Sequence, residues 1–253
     1  MIRRWANGAT YLDRAKTYIT MLEHSMDTSF TPWFIDSSTL MIKRLTTSQG
    51  YLSTFHNVNA WNAQFMLAGA YWRLEHCHSI LGDSASRVAT YSSIVQNATN
   101  NFVQNAVPLT TPGGESAYNW GYGNYGDEVA KKTGEQIGVH GSYDIWGLTR
   151  AYSTGETNAT AVQMQKYANT VDYEMTMSVD SSTGAATYSS FNDRCCDTST
   201  YNYLPPGFIY LAPYNRDIYL PAAHADISGG KQAKSPILTA GILWAKHWLY
   251  TNP

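Results

Sequence analysis

Charge is scarce in this chain. Only 14% of its 253 residues are Asp, Glu, Lys or Arg, where a typical soluble domain has about a quarter. The net charge of −2 excludes a general attraction to nucleic acid or to an anionic membrane surface. No apolar run approaches the roughly 18 residues of a membrane span. Cysteine is scarcer still, with three residues, an odd count. Cys195 and Cys196 are adjacent and poorly placed to bridge each other. Either one of them reaches Cys77, or all three are free thiols. There is no CxxC and no metal-ligand spacing. His76 and His78 lie two apart, on different sides of a helix, which is poor zinc geometry. No metal and no cofactor are therefore expected. Met1-Ile2-Arg3-Arg4-Trp5 lacks the apolar centre of a secretion signal: either a signal has been removed or the chain is intracellular.

Ser, Thr, Asn and Gly fill the space that charge leaves, and the aromatic load is high, with 19 Tyr and 8 Trp. That combination suits a secreted, carbohydrate-handling protein. The sequons Asn97-Ala98-Thr99 and Asn158-Ala159-Thr160 fit secretion and a glycoprotein.

Hydrophobic spacing predicts helix after helix. Residues 9–26 carry Ala15, Tyr18, Ile19, Leu22 and Met26 at helical intervals. Residues 32–45 open on Pro32 and continue through Ile35, Leu40 and Met41. Residues 59–81, with Trp61, Phe65, Ala68, Tyr71 and Leu74, are apolar nearly all round and so are expected to be buried. Residues 84–107 follow, stopped by Pro108. Residues 108–134 are rich in Gly and aromatics without a period and read as a long functional loop. Further helices are expected at 138–154, 159–178, 216–227 (broken near Pro221) and 236–250. The stretch 180–203 reads as a loop with at most a short hairpin. No strand alternation persists and no fixed repeat is visible. The expectation is one all-α domain over residues 1–253: an (α/α) toroid, or an incomplete one, of helical hairpins with long aromatic loops, acting as a monomer.

The chemistry-bearing residues gather in three places. The stretch Glu135-Gln136-Ile137-Gly138-Val139-His140-Gly141-Ser142-Tyr143-Asp144 sets ionisable groups at the start of a helix, with His140, Tyr143 and Asp144 on one face. His56-Asn57-Val58-Asn59-Ala60-Trp61-Asn62-Ala63-Gln64 heads the most apolar helix; Asn59 or Asn62 alone could be a cap, but Asn59, Asn62 and Gln64 together exceed that need. Tyr201 and Tyr203 sit in the late loop, with Arg194 and Arg216 nearby. Trp120 and Tyr122 on the Gly-rich stretch are candidate sugar-stacking rings. Such Asn, His, Tyr and Arg sets suit β-elimination from a uronic acid polymer. There, neutral or cationic donors mask the substrate carboxylate while its α-proton is removed.

The His140-Gly141-x-x-Asp144 run at a helix start, with the Asn-containing helix before it, resembles the (α/α)-toroid polysaccharide lyases, in particular the alginate- and glucuronan-cleaving groups. The resemblance covers a minor part of the chain, which is also short for these families. It implies a lyase acting on an acidic polysaccharide. Asn59 or Asn62 and His140 would neutralise the carboxylate, and Tyr201 or Tyr203, with Tyr143 nearby, would serve as base and acid. Gln64, Trp120, Tyr122, Arg194 and Arg216 would bind substrate. Two alternatives remain. One is an inverting glycoside hydrolase on a similar toroid, using Glu135 and Asp144, or Asp127 and Glu128; inversion needs carboxyl groups about 6.5–9.5 Å apart. The other is a carbohydrate-binding protein without catalysis. Gly141-Ser142 is not a nucleophile elbow, so Ser142 is expected only to cap.

Overall fold

The computed structural model describes residues 9–43, 60–123, 134–194, 200–228 and 236–252. It is mostly helical with a few small sheets. The first helix, α1 (Ala9–Ser25), buries Ala15 and Ile19 but leaves Tyr18 and Leu22 exposed. It widens into a turn at Met26–Phe30 and ends in the short α2 (Thr31–Phe34).

The helix expected over 32–45 stops there. Asp36 Oδ1 accepts from Ser38 N–H at 2.9 Å, Ser38 Oγ–H at 2.6 Å and Thr39 N–H at 2.9 Å. A side chain that satisfies nearby amides outcompetes the helix ladder. The result is a tight reversal that bridges Ile35 to Ile42.

The pair α3 (Trp61–Leu81) and α4 (Ala85–Asn105) forms an antiparallel hairpin, with Gly82 (φ 66°) in the left-handed position that ends α3. Phe102 of α4 packs edge-on against Trp61 and Phe65, each at 5.3 Å, and Tyr71 meets Tyr91 at 5.4 Å. Next comes α5 (Val139–Thr154), ended by Gly155 (φ 77°). Phe65 presses on Gly147 so closely that a Cβ there would overlap its ring, and one turn later Arg150 covers Gly69. The two contact pairs climb together, so α3 and α5 run parallel, with both helix N-termini at one end.

The stripe Met164, Tyr167, Ala168, Val171 and Met175 is fully buried. It lies on α6 (Ala161–Asn169), started by a Thr160–Gln163 capping box, and on the wider-coiled turn Thr170–Met175.

The all-α expectation is corrected by five short strands. β1 (Val107–Thr110) and β2 (Ser116–Asn119) form a hairpin with Val107 opposite Asn119, so part of the expected 108–134 loop is sheet. β3 (Thr176–Val179), β4 (Ala186–Ser189) and β5 (Thr200–Tyr201) form a second antiparallel sheet. Strands of two to four residues are too short to show an alternation in the sequence.

A tight helical turn at Pro206–Leu211 buries Phe208, Ile209 and Leu211 against α5, α6 and the last helix, α8 (Pro236–Thr251), and α7 (Tyr219–Ser228) packs beside α8. Pro221 falls in the first turn of α7, where a missing N–H is tolerated, rather than at a break. Among the described residues, no helix is long and apolar enough to cross a membrane.

Candidate functional site

Three segments are stitched together just before α5. Glu135 N–H donates to Trp120 O at 2.9 Å, and Ile137 N–H to Ser190 O at 3.0 Å. Asn192, fully buried, closes the stitch: its Oδ1 accepts from Glu135 N–H at 2.9 Å and its Nδ2 donates to Trp120 O at 2.9 Å. Its own N–H donates to Glu135 O at 3.1 Å. Nothing in the Ser/Thr-rich sequence around Asn192 marked it out.

This frame carries two carboxyl groups into the interior. Glu135 is 2% exposed and Asp144 is fully buried. Trp120 Nε1–H donates to Asp144 Oδ2 at 3.2 Å, while Asp144 Oδ1 and Glu135 Oε2 have no hydrogen-bond partner among the described residues. Burial pushes the Glu135 carboxyl up to about 8. Burial, and then the neighbouring Glu135 charge, push Asp144 well above the carboxylate range. Both groups favour the neutral form because a low-dielectric pocket penalises charge.

His140 stands in front of them on the first turn of α5. Its Nδ1 lies 3.7 Å from Glu135 Oε1, and its side chain is 41% exposed where that of Glu135 is 2% exposed. The Tyr122 ring lies 5.1 Å from the imidazole. Tyr122 is also tied to the head of α3, since Trp61 N–H donates to its carbonyl at 3.1 Å. The Tyr122 hydroxyl is pushed up by burial and then by Glu135 and Asp144. Tyr201 reaches the same place: its hydroxyl lies 3.3 Å from where a Cβ on Gly138 would be. Tyr203 packs edge-on to Tyr201 at 5.4 Å.

The remaining candidates separate. Tyr143 lies further along α5, half-buried against Trp146. Trp120 is not a stacking platform: it is 1% exposed, packed on Phe102 and Tyr167, and holds Asp144. Gln64 is likewise buried at 1%. Asn62 is half-buried on the first turn of α3, its Oδ1 accepting from Ala63 N–H at 2.8 Å. Arg194 donates to the carbonyls of Tyr173, Glu174 and Thr176, closing the end of the 170–175 turn. Arg216 donates to Asn252 O at the end of α8. Both guanidinium groups thus fasten backbone. Ser142 does not cap: its Oγ accepts from the buried Gly207 N–H at 2.7 Å.

His56, Asn57, Asn59, Asp127, Glu128, Cys195 and Cys196 lie outside the described residues. Cys77 is half-buried on α3 with a free thiol. His78 is held between Asp83 at 2.6 Å and Glu23 at 2.8 Å, and His76 stacks on Trp72. Among the described residues, no group of three side chains is arranged to hold a metal ion.

Chemically, this arrangement puts one proton-transfer group in contact with solvent and two reluctant carboxyl groups behind it. A neutral Glu135 carboxyl facing Nδ1 would favour the tautomer that carries the proton on Nε2. Searches against protein families, curated proteins and solved structures found no match to this chain.

Proposed function

We propose that this protein is a polysaccharide lyase that cleaves a glucuronan- or alginate-type polysaccharide by β-elimination. One observation carries the reading: His140 is half-exposed, while the carboxyl group that supports it is sealed from water. In the proposed reaction the His140 imidazole, with Glu135 behind it, donates to the substrate carboxylate, and Asn62 adds an amide donor. Tyr201 removes the C5 proton. The C4–O bond breaks, a C4–C5 double bond forms, and the departing oxygen takes the proton from Tyr201. The parallel α3 and α5, with α4 returning against α3, support an (α/α) toroid as the frame.

The Glu135 group near 8 also suits the general acid of a hydrolase. Inverting hydrolysis, however, needs a second carboxylate facing water across the substrate, and Asp144 has no exposure. An extracellular monomer fits the composition. Of the two sequons, Asn158 is exposed, whereas Asn97 Nδ2 donates to Thr39 O and Thr99 is buried.

The test is to incubate the protein with glucuronan, alginate and neutral glucans, following ultraviolet absorbance and reducing ends together. Both rising on an acidic polymer is the expected result. Reducing ends without absorbance would make it a hydrolase, and neither would make it a binder.

A further inference from the structure

Between the parallel helices α3 and α5, past the His140 end, lies a recess of about 260 Å³, open to solvent. Phe65, Met66, Tyr143 and Trp146 form its walls, and Arg73 and Arg150 its far end. The Arg150 guanidinium lies 4.7 Å from the Trp72 ring and 5.8 Å from Trp146. Arg73 Nη1–H donates to Gly69 O at 2.9 Å, and both guanidinium groups converge over Gly69.

Among the described residues, neither arginine has a carboxylate within ion-pair distance. The contrast with Arg87 is direct: it is bound to Glu23 at 3.0 Å and Asp27 at 3.1 Å. Burial and then the Arg73 charge bring Arg150 down to about 10. The Glu156 charge offsets only part of this; two cations held together with no carboxylate in contact repel each other, and an anion between them removes that cost. Arginine forks match planar carboxylates, and the neighbouring rings offer a face for a pyranose.

We propose that this recess is a subsite for a carboxylate-bearing sugar, its ring on Trp146 and Tyr143 and its carboxylate between Arg73 and Arg150. The proposal rests on reading the His140 cleft as one for acidic polysaccharide. Arg150 follows His140 by ten residues, about 15 Å at 1.5 Å per residue. The sugar in the recess is therefore not the one being cleaved but one further along the same chain. The subsite sets a minimum substrate length and selects polymers that carry acid groups beyond the scissile unit.

The test is calorimetric titration of the wild type, Arg73→Gln, Arg150→Gln and His140→Ala with oligoglucuronates and oligoalginates, dimer and hexamer, and with a neutral hexamer. The expected result is tight binding of an acidic hexamer to the wild type and weaker binding to His140→Ala, which loses its own contact with the substrate carboxylate. Each arginine variant should bind it about tenfold more weakly, the equivalent of one charge-assisted contact, with the dimer affinity unchanged. Arg150 also packs between rings, so Arg73→Gln, on an exposed side chain, keeps the test valid if Arg150→Gln fails to fold. Equal hexamer affinity for Arg73→Gln and the wild type overturns the subsite and leaves the cleft reading intact. No wild-type binding of any acidic oligomer overturns both.

Discussion

His140 Nδ1 and Glu135 Oε1 lie 3.7 Å apart across the start of α5, and of the two side chains only the imidazole meets solvent. The burial that holds Glu135 near 8 is thus coupled to a side chain that can reach a ligand. His140→Ala should lower kcat/KM by at least about 100-fold, the low end for losing a donor that stabilises developing negative charge. The unfolding midpoint should stay unchanged, because the imidazole is half-exposed. Steady-state rates with a urea titration check both; turnover near the wild-type rate removes His140 from the mechanism.

Glu135 also makes stability depend on pH. Its carboxyl moves from 4.5 to about 8 on folding, so between those values the folded state binds more protons than the unfolded state. Stability from this group is full below 4.5 and falls as pH rises toward 8. At about 1.4 kcal/mol per unit, the loss is on the order of 5 kcal/mol. Glu135→Gln keeps the shape without the charge. Its unfolding free energy relative to the wild type should therefore grow between pH 5 and pH 9, as measured by urea denaturation. A constant difference across that range would mean that Glu135 does not titrate in the folded protein.

The two late tyrosines sit differently at the helix start. The Tyr201 hydroxyl lies beside Gly138, whereas Tyr203 packs against Tyr201. Tyr201→Phe should lose at least about 100-fold in kcat, while Tyr203→Phe keeps most of its activity. The reverse pattern would transfer the base role to Tyr203.

The helices were legible because burial selects one stripe per turn: Met164 to Met175 repeat at helical spacing and all are buried. Glu135, His140 and Asp144 stood out because ionisable residues are rare here. Trp120 misled because composition cannot say which way a ring faces; its indole N–H is committed to Asp144. Asn192 left no trace because a buried amide that cross-links backbone needs no motif. Its loss leaves buried backbone groups short of partners, so Asn192→Ala should destabilise by about 2 kcal/mol and lower activity through Glu135. A urea titration unchanged from wild type would show that the stitch holds without it.

One motif repeats, and its repetition is a test in itself. Asp-Ser-Ser-Thr occurs at 36–39 and at 180–183, expected first as helix and then as loop. Both copies build the same reversal. Asp180 Oδ1 accepts from Ser182 N–H at 2.8 Å, Ser182 Oγ–H at 2.6 Å and Thr183 N–H at 2.9 Å, matching Asp36 bond for bond. Each turn closes on a left-handed residue, Leu40 (φ 56°) in the first and Gly184 (φ 74°) in the second. A side chain in that conformation costs roughly 1–2 kcal/mol. Leu40 recovers part of this by packing on the Ile35–Ile42 cluster, whereas the site at Gly184 has only His224 at 3.7 Å. Gly184→Ala should therefore lower stability by about 1 kcal/mol. Leu40→Gly should fall well short of the 2–5 kcal/mol typical of deleting a buried leucine, because strain relief offsets the lost contact. Urea titrations of both variants decide it: a neutral Gly184→Ala, or a full-sized loss at Leu40→Gly, would mean that the conformation of the fifth residue carries no strain.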